Sequence, residues 1–425
     1  MSSPAESLAR GPSTQSSFGG LDRFLRQRLL QRLTGLRGGQ LRIQDELGDL
    51  TLGDVRQAGA LTATLRIHSS DFYRQIARNG SVGAGEAYMD GLWSCDDLVA
   101  LVRLLVRNRD LLDGMESGWA RLGGYVMKLL HLLKRNTRAG SRKNIAAHYD
   151  LGNEFFQVFL DSNLMYSSAI FADPADTLEI ASRRKLDRIC QKLDLKPTDH
   201  LLEIGTGWGG MALHAAKHYG CRVTTTTISR EQHALASKRI QEAGLSDRVT
   251  LLLEDYRDLQ GSYDKLVSIE MIEAIGHQYL DVYFDKCSDL LKPEGLALIQ
   301  AITIEDHRYQ QALDSVDFIK RHVFPGSFIP CVTAMLESAA RAGELRLVNL
   351  EDIGPSYATT LNHWRHRFMA GLDRVRAQGY DERFVRMWEF YLSYCEGGFL
   401  ERSISDVHLL LARANNRRPE YVPGL

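Results

Sequence analysis

The sequence predicts an α/β protein: a Rossmann-like domain with helical insertions, preceded by a smaller α+β N-terminal domain. Three observations predict it. From about residue 145, short apolar or β-branched runs recur: HLLEIG, CRVTTTTI, VTLLLED, YDKLVSI and GLALIQAI. Helical stretches separate several of them, and such alternation argues for a mostly parallel sheet covered on both faces. A glycine-rich segment, LLEIGTGWGG at 201–210, leads from one run into a helix. Finally, 425 residues leave room for two or three domains.

The elements follow in order. Residues 1–19 are rich in Ser, Gly and Pro and read as a disordered N-terminus. In LDRFLRQRLLQRLTGLRGG (21–39), Leu21, Phe24, Leu25, Leu29 and Leu33 recur at helical spacing among Arg23, Arg26, Arg28, Arg32 and Arg37. Such a basic amphipathic helix suits an anionic membrane surface, or packs on its own domain with solvated arginines. LTATLRIH (61–68) alternates as a strand does, and DDLVALVRLLVRNRDLL (96–112) is a helix with an acidic start. KLLHLLKRNTRAGSRKN (128–144) loses its apolar period and reads as a basic interdomain linker over 131–144. The predicted division is therefore an N-terminal domain at 20–130 and a second domain at 145–425. Within the latter, 210–218 and 230–244 are helical, and 310–425 is a largely helical, aromatic-rich lid or extension.

Composition narrows the class. With 44% hydrophobic and 25% charged residues, the chain is neither disordered nor fibrous. No apolar run reaches the roughly 18 residues of a spanning helix, and the first residues lack a signal-peptide core. The expectation is a cytoplasmic protein. The six cysteines form no CxxC pair, and His214 and His218 have no third ligand beside them in sequence, so no metal is expected. Residues 1–144 carry 21 Lys+Arg against 14 Asp+Glu, a net of +7, while 145–425 carry 31 against 39, a net of −8. The N-terminal part thus faces something anionic. Neither basic segment interleaves aromatics, which argues against nucleic acid.

The glycine turn is the strongest local signal. Gly205, Gly207 and Gly209 or Gly210 permit a tight turn and close approach of a ligand. A dinucleotide site wants an acid about 20 residues on, but the next strand ends VTTTTIS without one. Glu203, just before the turn, suits the ammonium of an amino-acid moiety. Glu254 and Asp255 follow a third strand, where they bind an adenine amino group or simply cap and solvate a loop. This pattern favours an S-adenosylmethionine methyltransferase over a dehydrogenase.

Further blocks extend the pattern: SVGAGEAYMDGLWSCDDL (81–98), HYDLGNEFFQVFLDSNLMYSSAIF (148–171), TTISREQ (226–232), EDYRDL (254–259), EMIEAIGHQYLDVYF (270–284), LLKPEGL (290–296) and FPGSFIP (324–330). Through them the chain resembles the cyclopropane fatty acid synthases and their mycolic-acid methyltransferase relatives. The resemblance implies a class I methyltransferase fold, S-adenosylmethionine as cofactor, and an unsaturated acyl chain of a membrane phospholipid as substrate. It also implies an N-terminal domain engaging an anionic membrane surface, peripheral attachment inside the cell, and a possible homodimer. Cofactor positions carry over onto Tyr166, Ser167, Gly205, Gly207, Gly209, Thr227, Ile228, Gln232, Glu254 and Asp255.

An alkene that accepts a methyl becomes a carbocation, so the site must exclude water and can use aromatic faces. Tyr166, Trp208, Tyr309, Phe318, Tyr357 and Trp364 are candidates, each also suited to plain core packing. A base must then remove a proton. The resemblance implies a bound bicarbonate held by Ser168, Glu273, Gln300, Ile302 and Tyr357, and an active-site thiol at Cys395. Three positions depart from the family pattern. Ser168 replaces a Cys, Gln300 a His and Ala274 a common His. Ser and Gln still offer O–H and N–H donors to an anion. The departures bear on ring closure more than on methyl transfer. A methyl-branched or methylene product is thus the alternative to a cyclopropane. A methyltransferase of a non-lipid molecule, or a lipid-binding protein without catalysis, are the other readings.

Overall fold

A computed structural model describes residues 18–56, 58–113, 151–341 and 345–417. The predicted linker at 131–144 and most of the predicted disordered start lie outside them. The chain divides into two compact units.

The first unit comprises 1–130 together with 315–323 and 372–401. Its sheet has the order β2-β1-β3-β4. β1 (Gly39–Asp45) and β2 (Gly48–Gly53) form an antiparallel hairpin, β3 (Leu61–Ile67) runs parallel to β1, and β4 (Trp93–Cys95) is antiparallel to β3. The alternation in LTATLRIH buries Ala63, Leu65 and Ile67, as predicted. The helix Leu98–Arg107 starts where Asp97 accepts the Ala100 N–H. It packs against the helix Glu382–Leu400, where a Cβ on Gly397 would stand 2.6 Å from Val102. Only glycine permits that approach.

One sequence reading needs correction here. The predicted domain at 145–425 is not continuous, because 315–323 and 372–401 fold with the first unit. The reason is aromatic burial and buried charge. Phe390 meets Tyr88 at 5.7 Å and Phe318 at 4.7 Å between ring centres, and the Tyr88 hydroxyl donates to Glu389 at 2.7 Å. Glu401 accepts from Arg103 and Arg107 at 2.7 and 2.8 Å. The basic amphipathic helix read in 21–39 spans Gly20–Leu33, and its apolar stripe is not wholly covered. Leu21 and Phe24 remain 59% and 57% exposed, whereas Asp22 is buried against Arg74.

The second unit comprises 131–314, 324–371 and 402–425. Its seven strands have the order β10-β11-β9-β8-β5-β6-β7. They are β5 (His200–Ile204), β6 (Arg222–Thr226), β7 (Val249–Leu252), β8 (Tyr263–Ile269), β9 (Leu291–Ile304), β10 (Arg346–Asp352) and β11 (Ile404–Ala412). β5 to β9 are parallel, and β11 pairs antiparallel with both β9 and β10. The last two strands lie in the region read as largely helical, which is a further correction. β11 is buried along most of its length because it lies between two neighbours, so it lacks the alternation that marks a one-faced strand. Two apolar cores flank the sheet, one containing Ile204, Ile299 and Leu409, the other Leu201, Leu298 and Leu410. The chain winds from β5 outward to β7 and returns to β8 on the other side of β5. That reversal opens a crevice at the carboxyl ends of β5 and β8, where such sheets bind ligands.

Candidate active site

The β5 side of the crevice is a turn built for close approach. Gly205, Gly207 and Gly209 have φ of +100°, +53° and +85°. The N–H groups of Gly205 and Thr206 donate to Thr226 O at 3.1 and 2.9 Å, which ties the turn to β6. A Cβ at Gly207 would meet nothing within 4 Å, so space is open above the turn. Beneath it Glu203 accepts from the Thr225 hydroxyl at 2.6 Å, and Thr225 contacts the Thr206 hydroxyl at 2.7 Å. Burial pushes the Glu203 carboxyl up to about 8. An ammonium arriving there would restore its charge, so the turn and the acid fit the amino-acid end of S-adenosylmethionine.

The next strand ends at a second cluster. The Thr227 hydroxyl donates to Gln232 Oε1 at 2.9 Å, and Ser229 caps the helix Arg230–Glu242 by accepting the Gln232 N–H at 3.2 Å. Ile228 is half-buried beside them. Asp255 is buried with its carboxylate held by Arg257 at 2.8 and 2.6 Å, whereas Glu254 is exposed and its backbone carbonyl accepts from Thr226.

On the β8 side stands a group of acids. Glu270 follows β8 with φ +47°, a left-handed conformation that non-glycine residues rarely adopt. Its Oε1 accepts from Ser168 N and Gln300 Nε2, both at 2.8 Å, and its Oε2 accepts from the Tyr357 hydroxyl at 2.7 Å. Gln300 Nε2 also donates to Asp406 at 2.8 Å, and the Gln300 carbonyl faces His408 Nε2 at 3.2 Å. Strand register brings these together: Gln300 lies opposite His408, and Ile302 opposite Asp406. Glu273 accepts from Ile302 N at 2.7 Å, and its other oxygen is buried without a partner among the described residues. Lys185, fully buried, donates to Ser167 Oγ at 2.8 Å.

The charges in this group are set by burial and by one another. Burial, then the charge of Glu270, pushes Glu273 up to about 8. Burial, then Glu270, holds Asp406 well above the usual carboxylate range. Burial raises Glu270 too, although the Ser168 N–H, the Tyr357 hydroxyl, the Lys185 charge and a hydrogen bond with Asp406 oppose it. Of the three acids, Glu270 accepts the most hydrogen bonds, from Ser168 N, Gln300 Nε2 and the Tyr357 hydroxyl, and such donors favour its charged form. Burial lowers Lys185 to about 8 against the pull of nearby acids, Glu270 first.

Aromatic rings join the two sides. Trp208 of the glycine turn lies 4.9 Å from Phe156, Phe156 5.3 Å from Tyr166, Tyr166 5.3 Å from Trp364, and Trp364 6.0 Å from Tyr357. Four of the six candidate aromatics therefore gather here. Tyr309 packs against the sheet core, and Phe318 belongs to the first unit. Cys395 also belongs to the first unit, on the helix Glu382–Leu400, and burial pushes its thiol up, away from the reactive thiolate.

Of the residues the resemblance implied for bicarbonate, Ser168, Gln300 and Tyr357 converge on one point, with Glu273 and Ile302 bonded beside it. That point is the carboxylate of Glu270. The donors needed to hold a bicarbonate are already spent, so the group does not fit. Ser168 contributes its backbone N–H, while its hydroxyl donates to Ala169 O at 2.9 Å, so the exchanged side chain supplies no donor to the anion. The sequence reading missed Glu270, Lys185 and Asp406. An acid immediately past a strand of a parallel sheet, and a lysine on the apolar face of the helix Leu178–Lys192 with Ala181 and Ile189, were the available signals. Among the described residues, no three His, Cys, Asp or Glu side chains gather as a metal site, and no helix is long and apolar enough to cross a membrane. His214 instead contacts Asp187 at 2.8 Å.

A glycine turn at the crevice, a buried acid beneath it and a seven-stranded sheet with its last strand antiparallel define an S-adenosylmethionine-dependent methyltransferase. Residues 136–409 match the mycolic acid cyclopropane synthetase family, and the chain belongs to it. It is 40% identical over 344 residues to the tuberculostearic acid methyltransferase of Mycobacterium tuberculosis, covering 79% of this chain and 80% of that one. It is 36% identical over 374 residues to the cyclopropane-fatty-acyl-phospholipid synthase of Escherichia coli, covering 88% and 93%. The crystal structure of the mycolic acid cyclopropane synthase CmaA1 complexed with SAH and CTAB superposes with a TM-score of 0.60 at 27% identity, covering 64% of this chain and 98% of that one. The protein is a fatty-acyl methyltransferase of this family.

Proposed function

We propose that the enzyme methylates the cis double bond of an unsaturated acyl chain in a membrane phospholipid, and that the leading product is a cyclopropane fatty acid. The observation that carries this reading is the aromatic row from Trp208 to Tyr357, ending at the Glu270 carboxylate. Electron-rich faces beside an apolar path stabilise a carbocation, and a carboxylate at the end of the row can take its proton. S-adenosylmethionine supplies the electrophilic methyl. Glu203 and the turn at Gly205, Gly207 and Gly209 would hold its amino-acid end, with Tyr166, Ser167, Thr227, Ile228, Gln232, Glu254 and Asp255 around the remainder.

A second reading, a methyl-branched or methylene product, is favoured by the 40% identity to a tuberculostearic acid methyltransferase and by Gln300 and Ala274 at two departing positions. The discriminating measurement is mass spectrometry of acyl chains after incubation with S-adenosylmethionine and monounsaturated phospholipid vesicles. A gain of one CH2 that no longer takes up hydrogen over a mild catalyst means a ring; the same gain with hydrogen uptake means a methylene. No gain would sink both readings.

Attachment to an anionic inner membrane surface belongs to the same proposal. Exposed Leu21 and Phe24 beside exposed Arg23 and Arg28 support it. Binding to anionic vesicles should weaken with salt; indifference to salt and to lipid charge would count against it. A homodimer is proposed from the family resemblance alone, and sedimentation at micromolar concentration tests it.

A further inference from the structure

We propose that Glu270 is the catalytic base of this enzyme, so that the chain carries its own carboxylate where a bicarbonate would otherwise be recruited. This rests on the acyl-chain reading above and deepens it.

Four observations converge on the residue. First, every donor aimed at the centre of the group ends on it: Ser168 N, Gln300 Nε2 and the Tyr357 hydroxyl. Three donors hold a carboxylate in its charged form and fix its orientation, as a base requires. Second, the backbone at Glu270 is left-handed at φ +47°, a region that non-glycine residues rarely adopt. Such strain persists where the surroundings impose it, commonly at functional sites. Here it turns the side chain back toward Ser168 and Tyr357. Third, Glu270 is only half-buried, whereas Gln300, Asp406 and Ser168 behind it are sealed, so an open face remains for substrate. Fourth, Tyr357 joins the carboxylate to Trp364 and thence to Tyr166, the row suited to a cation.

The step balances without any further reagent. The alkene π pair forms a bond to the methyl carbon of S-adenosylmethionine as the methyl–sulfur bond breaks and its electron pair stays on the departing sulfur, leaving a cation on the neighbouring alkene carbon. A C–H bond of the new methyl then breaks, and its electron pair closes the C–C bond of the ring. The proton ends on the Glu270 carboxylate. If a hydride first shifts between the two former alkene carbons, the same proton loss leaves a methylene. Glu270 therefore serves either product. Gln300 and Tyr357 are positioning residues, acting through Glu270.

The test uses the full-length protein, Glu270→Gln and Glu270→Gly. Glycine suits the left-handed backbone, so the second variant opens space without disturbing the turn. Each is assayed with monounsaturated phospholipid vesicles in buffer freed of carbon dioxide and in buffer with bicarbonate. Binding of 13C-bicarbonate is followed by NMR line broadening. We expect wild-type turnover to be indifferent to bicarbonate, with no binding of the labelled ion. Glu270→Gln should keep its affinity for S-adenosylmethionine and lose product at least about 100-fold. Glu270→Gly should bind the labelled ion and recover part of its turnover with it. Wild-type turnover that falls without bicarbonate, wild-type binding of the ion, or an active Glu270→Gln would overturn the proposal. Failure of the wild type to modify any lipid would instead overturn the acyl-chain reading. The NMR comparison would still decide on Glu270, since binding by the wild type refutes it and binding by the glycine variant alone supports it.

Discussion

The two sides of the crevice are built in different ways. The β5 side is local: a strand, a turn of positive-φ glycines and a helix, contiguous over 200–214, with Glu203 and Thr225 one strand apart. The β8 side is assembled from Ser168, Glu270, Gln300, Tyr357 and Asp406, which only the sheet register and the helix Gly354–Ala370 bring together. The local side can approach a ligand with its backbone and tolerates little change in conformation. The assembled side works through side-chain charge, and each member depends on the others' protonation.

If the two sides act separately, substitutions on one should leave the other's readout alone. The largest effect is expected for Gly205→Val. Its φ of +100° suits no branched side chain, and a Cβ would press to 3.3 Å from Met271. We expect S-adenosylmethionine to bind at least about 30-fold more weakly by calorimetry, and retained affinity would mean that the turn is not the cofactor site. Tyr357→Phe removes one donor from Glu270 but leaves the ring in place. A fall in kcat of about 10-fold or more, with cofactor affinity unchanged, is the signature of two independent sides. A matching loss of cofactor affinity would join them.

Glu273→Gln probes the shared charge. The native carboxyl holds its proton up to about 8, against an ordinary value of 4.5. Between those values the unfolded chain has released a proton that the native protein keeps. Stability from this group is therefore full below about 4.5, falls as pH rises, and levels above about 8. The variant lacks this loss, so its urea stability relative to wild type should improve by about 3 kcal/mol between pH 5 and 8. A constant difference would mean that Glu273 is ionised throughout. The smallest effect belongs to the partly exposed pair Arg402–Asp352 near the outer edge of the β8 side. Arg402→Ala should change stability by under about 1 kcal/mol, and a larger change in a thermal melt would show that the edge helps to hold the group together.

Much of this could be read in advance, for physical reasons. The glycine turn and the five parallel strands follow from local φ demands and apolar runs, and the structure contains them. β11 was hidden because a strand buried between neighbours carries no alternation, and β10 because an edge strand that is exposed along most of its length carries no apolar run. The return of 315–323 and 372–401 to the first unit was hidden because aromatic spacing on a helix does not say which core it fills. Among the site residues, Ser168, Gln300, Glu273, Ile302 and Tyr357 were named through a resemblance, and the structure does gather them. What they gather around was not legible, since Glu270 in EMIE reads as one more loop acid.

By itself, then, the sequence determined the cofactor turn, the alternation of strands and helices around it, and the residue types around the acid group, because these depend on neighbours along the chain. The tertiary structure alone decided that Ser168, Gln300 and Tyr357 spend their donors on Glu270, that burial beside it pushes the Asp406 and Glu273 carboxyls up, and that Cys395 belongs to another unit. Those outcomes depend on distances across strands and on burial, and neither quantity exists until the sheet has closed.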